Sequence, residues 1–391
     1  MRLSLWTPRP DSAWAEALLP LLRQEAPVTV VSGEPPTPPE SDLDLYHVAD
    51  DPAHGFVYRA LCRRPGLVLL ADWSLRRLVH AETAGRGDGA AYLAEARRAH
   101  GETGAFLARQ ELSGLGGEVL PALLFLNDRV LEASLGLVAF TEFCRARAAV
   151  RLPGKPVVHL PLPFLGQPGD LPDRAAARAA LGVHGGSALV AVMSAAGAGP
   201  RRALASVQAA EPGLVVHPWP DVDGPARRLL AAADVAVALE GPSGKGLPAA
   251  VAQAVAAGVP TLVSAGTVAA AELPDGVVVK VSPGPTEAAE LEALLLRLVR
   301  DPGLRARVAT LARAHAAAQH APATAASRLL ALARDIVISW SGARDAFAAA
   351  RAAETTPLGW ALDEVCWAAT ELGAPPPAIE PLLAPLLRGP R

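Results

Sequence analysis

The run GPSGKG, residues 241–246, stands between an apolar strand-like segment, DVAVAL at 234–239, and a helix-like segment over 247–257. A turn of this composition at a helix start is suited to holding phosphate. Backbone N–H groups point at the anion, the aligned peptide dipoles favour negative charge, and glycine lets the main chain come close. Ser243 adds a hydroxyl donor and Lys245 a positive charge, while Gly244 and Gly246 keep the approach open. The spacing differs from that of a nucleoside triphosphate loop. The first glycine such a loop needs falls on Leu239, and Gly246 stands where it needs Ser or Thr. The competing reading is a plain strand-to-helix turn with no ligand.

That turn belongs to a chain that alternates strands and helices. The first half offers strands at 2–6, 28–31, 43–48, 67–70, 136–140 and from 157. Helices are expected from an Asp11 N-cap through Leu22, over 52–63 and over 90–109, with the Pro-rich 33–41 as a surface loop. FLGQPGDLPD, 164–173, reads as a linker. Strands then recur at 187–193, 213–217, 234–239, 261–264 and 277–281, with helices from about Pro200, near 225–232 and over 247–257. From Glu287 the chain is helical, broken at Pro322 and Pro357, and 361–373 places Leu362, Val365, Cys366 and Ala369 on one stripe. Trp340, Trp360 and Trp367 read as packing residues. The expected architecture is α/β: two Rossmann-like, doubly wound parallel-sheet domains facing a cleft, with a helical C-terminal tail. The divisions are 1–165, 174–335 and 336–391. Ligands in such folds sit beyond the carboxyl ends of the strands.

Composition agrees with that class. The 391 residues are 51% hydrophobic but only 4% aromatic, a mixture for helices on parallel strands. A net charge of −3 excludes a general nucleic-acid binder, which needs a basic face. Three scattered cysteines without metal-ligand spacing suggest a reducing, cytoplasmic setting. Gly246 to Ala271 carries no charge, but its Gly-Val-Pro turn and other breaks argue for a buried helix and strand, so no transmembrane segment is expected.

Several segments, in order, resemble the GT-B glycosyltransferases of the retaining, family-four type. LYHVADDPAHGFVYRALCRRPGLVLLADWSLRRL, 45–78, is similar to the family's Tyr-x-x-Gly-Asn, His, Pro-Gly-Val-Val-Val-Leu-His-Asp segment. LGLVAFTEFCRARAAV, 135–150, resembles its Val-His-Ser strand and helix. Residues 232–264 resemble its donor-binding core, and 271–284 with 294–313 resemble its usual ending. The resemblance covers roughly 1–335.

It implies transfer of a sugar from a nucleoside diphosphate sugar to a carbohydrate or glycolipid acceptor with retention, in polysaccharide or glycolipid assembly. No metal and no cofactor beyond the nucleotide sugar is implied. Ser243, Gly244, Lys245 and Gly246 would hold the diphosphate. Arg201 and Arg202, after the GAG turn at 197–199, would neutralise the leaving group, although an exposed Arg pair at a helix start is equally ordinary. Asp72 and His54 are the polar candidates on the acceptor side. Asp72 alternatively N-caps a helix starting near Ser74, and His54 alternatively faces solvent or caps. The class leaves association with the inner membrane face open.

The family's acid pair, seven residues apart, falls here on Lys245 and Gln253, which removes two carboxylates from the donor ribose and sugar. Each lost charged hydrogen bond costs about 1.5–3 kcal/mol. Glu272 in AELP is a candidate replacement. Ala71 stands in place of the family's His before Asp72, and Ala139-Phe140-Thr141 in place of Val-His-Ser. These departures support an alternative, a catalytically impaired GT-B scaffold acting as a binding or partner subunit. A sugar-nucleotide epimerase is a third reading.

Overall fold

Strands that are apolar on both faces must be covered on both sides, and here helices supply that cover in two lobes. The computed structural model describes residues 1–117, 120–163, 171–184, 186–195, 197–220, 223–241 and 246–340. In the first lobe run β1 (Leu3–Trp6), α1 (Ala13–Glu25), β2 (Val28–Val31), β3 (Leu43–Val48), α2 (Gly55–Arg63), β4 (Gly66–Leu70), α3 (Arg76–Glu82) and α4 (Gly89–Leu112). They are followed by α5 (Leu120–Leu123), α6 (Asp128–Ala133), β5 (Ser134–Ala139), α7 (Glu142–Arg151) and β6 (Val157–His159). The second lobe contains α8 (Arg174–Ala180), β7 (Leu189–Ala195), α9 (Ala198–Ala210), β8 (Val215–Pro218), α10 (Asp223–Ala232), β9 (Val235–Leu239) and α11 (Ala249–Ala257). It continues with β10 (Thr261–Ser264), α12 (Val268–Glu272), β11 (Val279–Val281), α13 (Glu287–Arg300), α14 (Pro302–Gln319) and α15 (Pro322–Trp340).

The first sheet has six strands in the order β2-β1-β3-β4-β5-β6, and the second has five in the order β11-β10-β9-β7-β8. Every described pairing between these strands is parallel. The period of two is visible in β4. Leu67 and Leu69 join the core beneath α1, while Val68 and Leu70 join the core on the opposite face. In the second lobe Val235, Val237 and Leu239 face α9 and α13, and Ala238 and Val263 face α11, α12 and α14. Both sheets are thus covered by helices on both faces, as the two expected Rossmann-like domains require.

Some local expectations change. The chain at 89–112 is broken at His100 and at Gly101, whose φ of 61° suits glycine. Tyr92 donates its hydroxyl to Glu111, 19 residues on. A straight helix would hold those residues about 28 Å apart, so the segment folds back as a helical hairpin. Ser12 rather than Asp11 takes the N-cap position of α1, and it makes no side-chain cap bond.

The last described helix returns to the first lobe. Ala325, Ala326, Leu329, Leu330, Ala333 and Ile336 of α15 are buried with Leu3, Leu5, Leu18 and Leu22. The division placed after 335 thus falls inside a helix that covers the first sheet. Most of the 164–173 linker, the 361–373 stripe, Trp360 and Trp367 lie outside the described residues. Among the described residues, no helix is long and apolar enough to cross a membrane. The uncharged 246–271 stretch divides into α11, β10 and most of α12.

Candidate functional site

Parallel strands deliver their carboxyl ends to one edge, so residues just past those ends are neighbours whatever their separation in the chain. On the first lobe this brings together Thr7 after β1, His47 near the end of β3, Asp50 and His54 beyond it, Asp72 after β4 and Phe140 after β5. The Thr7 hydroxyl lies 3.2 Å from His47 Nδ1. The His47 ring packs on Trp14 at 4.6 Å and on His54 at 4.8 Å between centroids. Burial pushes the His47 imidazole well below its usual range, and the neighbouring His54 pushes it further the same way.

His54 ends a short 3₁₀ turn, Pro52–His54, whose start Asp51 caps by accepting from the Ala53 N–H at 2.9 Å. His54 itself is buried, and its Nδ1 sits 2.8 Å from the main-chain carbonyl of His47. Burial lowers its pKa, opposed by that carbonyl and by Asp51 and Asp72, while Arg9 adds to the lowering.

Asp72 does not cap the helix near Ser74. That helix, α3, starts at Arg76, and the cap comes from Asp50, whose Oδ1 accepts from the N–H groups of Arg77 at 2.7 Å and Leu78 at 3.1 Å. Burial raises the Asp50 pKa, the Leu78 N–H works against that rise, and the Asp72 carboxylate adds to it. Asp72 is left to bridge. Its Oδ2 accepts from the Asp50 N–H at 2.9 Å and its Oδ1 from the Gly246 N–H at 2.7 Å. Gly246 belongs to the second lobe, so the end of the turn after β9 touches the strand ends of the first sheet. A Cβ on Gly246 would lie 2.0 Å from the Ala71 carbonyl oxygen, an approach that requires glycine.

Other second-lobe candidates are placed more loosely. Ser243, Gly244 and Lys245 lie outside the described residues. Helix α11 begins at Ala249, leaving Leu247 and Pro248 between the turn and the helix. Proline disfavours helical geometry in the residue before it, which delays the expected start at 247. Gln253 on α11 is half-buried, and Arg201 and Arg202 are exposed in the first turns of α9.

Glu272, at the end of α12, faces the first lobe. Its two carboxylate oxygens accept from the N–H groups of Glu142 and Phe143, each at 3.0 Å. Those groups open α7, where negative charge is favoured, and Thr141 caps the same turn by accepting from the Cys144 N–H. His159 lies beside the contact, 3.7 Å from Glu142 and 3.8 Å from Glu272.

The two lobes therefore exchange carboxylate–amide bonds, Asp72 to Gly246 in one direction and Glu272 to Glu142 and Phe143 in the other. The first contact joins the segments that follow β4 and β9, and the second joins the start of α7, which follows β5, to the end of α12, so the lobes meet beside the strand carboxyl ends of the first sheet. The fold is GT-B. The crystal structure of Anabaena Alr3699/HepE in complex with UDP and glucose aligns with a TM-score of 0.53 at 14% identity, over 84% of this chain and 98% of that one. Sucrose-phosphate synthase (tll1590) from Thermosynechococcus elongatus aligns with a TM-score of 0.54 at 13% identity, over 87% of this chain and 100% of that one. No family model and no curated protein matches the chain in sequence.

Thr7, His47 and Asp50 were not singled out from the sequence. Each is a polar residue at or just beyond the end of an otherwise apolar strand, which is the signal that points to a cleft edge in a parallel sheet. No group of three or more potential metal ligands occurs among the described residues.

Proposed function

We propose that the chain is a glycosyltransferase that moves a sugar from a nucleoside diphosphate sugar to a carbohydrate or glycolipid acceptor. The observation that carries this reading is the Gly246 amide, which donates from the turn after β9 to Asp72, at the strand carboxyl ends of the other lobe. A diphosphate between the lobes would take the amides of the 243–246 turn, with Lys245, Arg201 and Arg202 neutralising the charge that develops as it leaves. Asp72 would have to give up its bond to Gly246 as the donor enters. The ribose and sugar would lie toward Gln253 and Glu272, and the acceptor toward Asp72 and His54.

Retention is the stereochemical outcome proposed with it. The sugar C1–O bond to phosphate breaks, a bond from C1 to the acceptor oxygen forms on the same face, and the acceptor proton passes to the departing phosphate. This route needs no protein nucleophile. Polysaccharide or glycolipid assembly is the proposed setting. The bound UDP and glucose of Alr3699/HepE support a nucleotide-sugar ligand for this architecture.

A second reading, a GT-B scaffold without turnover, draws on the same site. Lys245 and Gln253 replace paired acids, and a carboxylate of the chain already holds the Gly246 amide. Calorimetric titration with UDP, GDP, ADP, dTDP and their sugars separates the two. Micromolar binding of one nucleotide, abolished in Arg201→Ala/Arg202→Ala while that variant keeps its melting temperature, supports the enzyme. Millimolar or absent binding throughout supports the scaffold.

A further inference from the structure

We infer that His54 is a fixed hydrogen-bond acceptor for a sugar hydroxyl in the cleft, presenting an unprotonated Nε2, and that Thr7 and His47 are positioning residues for it. This rests on the reading above and deepens it by assigning the acceptor-side group of the first lobe that meets a sugar hydroxyl where acceptor and transferred sugar come together.

The argument starts at the other ring nitrogen. His54 Nδ1 lies 2.8 Å from a main-chain carbonyl oxygen, a group that only accepts. Nδ1 must therefore carry hydrogen, and in the neutral ring Nε2 keeps its lone pair. The partner carbonyl belongs to His47, in the sheet itself, so it is a rigid reference. The His47 ring in turn is pinned by the Thr7 hydroxyl and wedged between Trp14 and His54. Two elements of the sheet thus hold one orientation of His54, as second-layer partners hold functional histidines elsewhere.

Nε2 has no hydrogen-bond partner among the described residues. The residue keeps 5% of its surface exposed. A lone pair at the end of a buried, oriented ring selects a neutral donor. Hydroxyl groups of a sugar are that chemistry, whereas the esterified diphosphate of a nucleotide sugar offers only acceptors at neutral pH. The charged and titratable groups around the ring are Asp51, Asp72, Arg9 and His47. The carboxylates favour a proton on the ring, and burial disfavours it more.

Long-range ¹⁵N–¹H spectra of the imidazoles test the assignment on the full chain at neutral pH. His217 and His320 also set Nδ1 against a main-chain carbonyl, so several histidines should show a protonated Nδ1 and an unprotonated Nε2, and the set that vanishes in His54→Gln belongs to His54. That Nε2 should shift on adding glucose, or one of UDP-glucose, GDP-mannose and dTDP-glucose, and should not shift with UDP alone. Thr7→Val and His47→Phe should broaden or split it without melting the fold. Asn places its amide where Nδ1 sits, and Gln where Nε2 sits. His54→Asn should therefore lose about five- to tenfold in affinity for the responding sugar ligand, and His54→Gln should recover most of it. On acidification the response should fade, because a protonated Nε2 no longer accepts.

A charged ring, the opposite tautomer, or an Nε2 unmoved by every one of these probes overturns the inference. Failure of the nucleotides to bind, with Nε2 still answering to glucose, would instead remove the transferase reading and leave this site standing.

Discussion

Replacing Gly246 by alanine tests how closely the lobes meet. The added Cβ would stand 2.0 Å from the Ala71 carbonyl oxygen and 3.6 Å from Asp72 Oδ1. The obstructing atom is backbone, so no rotamer change relieves it. Ordinary contact begins at 3.4 Å, and the two chains must separate by the difference, about 1.4 Å. The Asp72–Gly246 bond then stretches from 2.7 Å beyond useful hydrogen-bond length. Losing a bond to a charged acceptor costs about 1.5–3 kcal/mol, which lowers the ratio of closed to open chains roughly ten- to a hundredfold. Gly241, at the other end of the same turn, has nothing within 4 Å of its Cβ position and serves as the control. Small-angle scattering and energy transfer between dyes on the two lobes report the change. Gly246→Ala should enlarge the particle and lengthen the interlobe distance, while Gly241→Ala should match the parent. Identical curves for the two variants would refute the close approach on which the account rests.

Two further perturbations follow from the same contacts and from the buried histidines. Glu272→Ala removes a carboxylate that accepts two N–H groups at the start of α7, and it should weaken lobe closure by about 1.5–3 kcal/mol, read by the same interlobe distance. An unchanged distance would mean that this contact does not hold the lobes. His320, whose Nδ1 lies 2.9 Å from the Leu162 carbonyl, is lowered by burial from 6.5 to about 4. The unfolded chain binds its proton first as pH falls, so the stability this group confers at neutral pH is lost between those values, about 2 kcal/mol of it by pH 5. Buried Asp50 and Asp44 are shifted upward and act in the opposite sense near the acid end, so the clean measurement is the difference between parent and His320→Gln. Urea unfolding at pH 7 and pH 5 should give a shallower loss for the variant, and parallel losses would contradict the buried neutral state.

The parallel sheets were legible in the sequence because apolar runs such as LVLL and DVAVAL, spaced by helix-length segments, have few other ways to bury both faces. The turn between β9 and α11 was legible for a related reason, since glycines between an apolar strand and a helical segment mark a break at a strand's carboxyl end. What the sequence concealed is long-range. Asp72 read as an acceptor-side catalytic candidate or, alternatively, a local cap, and it bonds to Gly246, 174 residues away. Glu272 looked like a lining residue of its own lobe, yet it caps a helix 129 and 130 residues earlier. A carboxylate satisfies a local or a distant N–H equally well, and only the packing decides which one comes within reach. Thr7 and His47 were missed because each looks like an isolated polar residue in a strand until the sheet registers it beside the others. The fold at Gly101 was missed because the helical pattern continues on both sides of it.

The central claim is that nucleotide sugars enter the gap at the Gly246 amide. The direct test is to follow that amide in ¹H–¹⁵N spectra while the chain is titrated with UDP-glucose and the corresponding GDP, ADP and dTDP sugars. The account predicts that one of them displaces Asp72 and moves the Gly246 resonance in step with binding measured by calorimetry. A nucleotide sugar that binds while Gly246 stays fixed would place the donor elsewhere and contradict it.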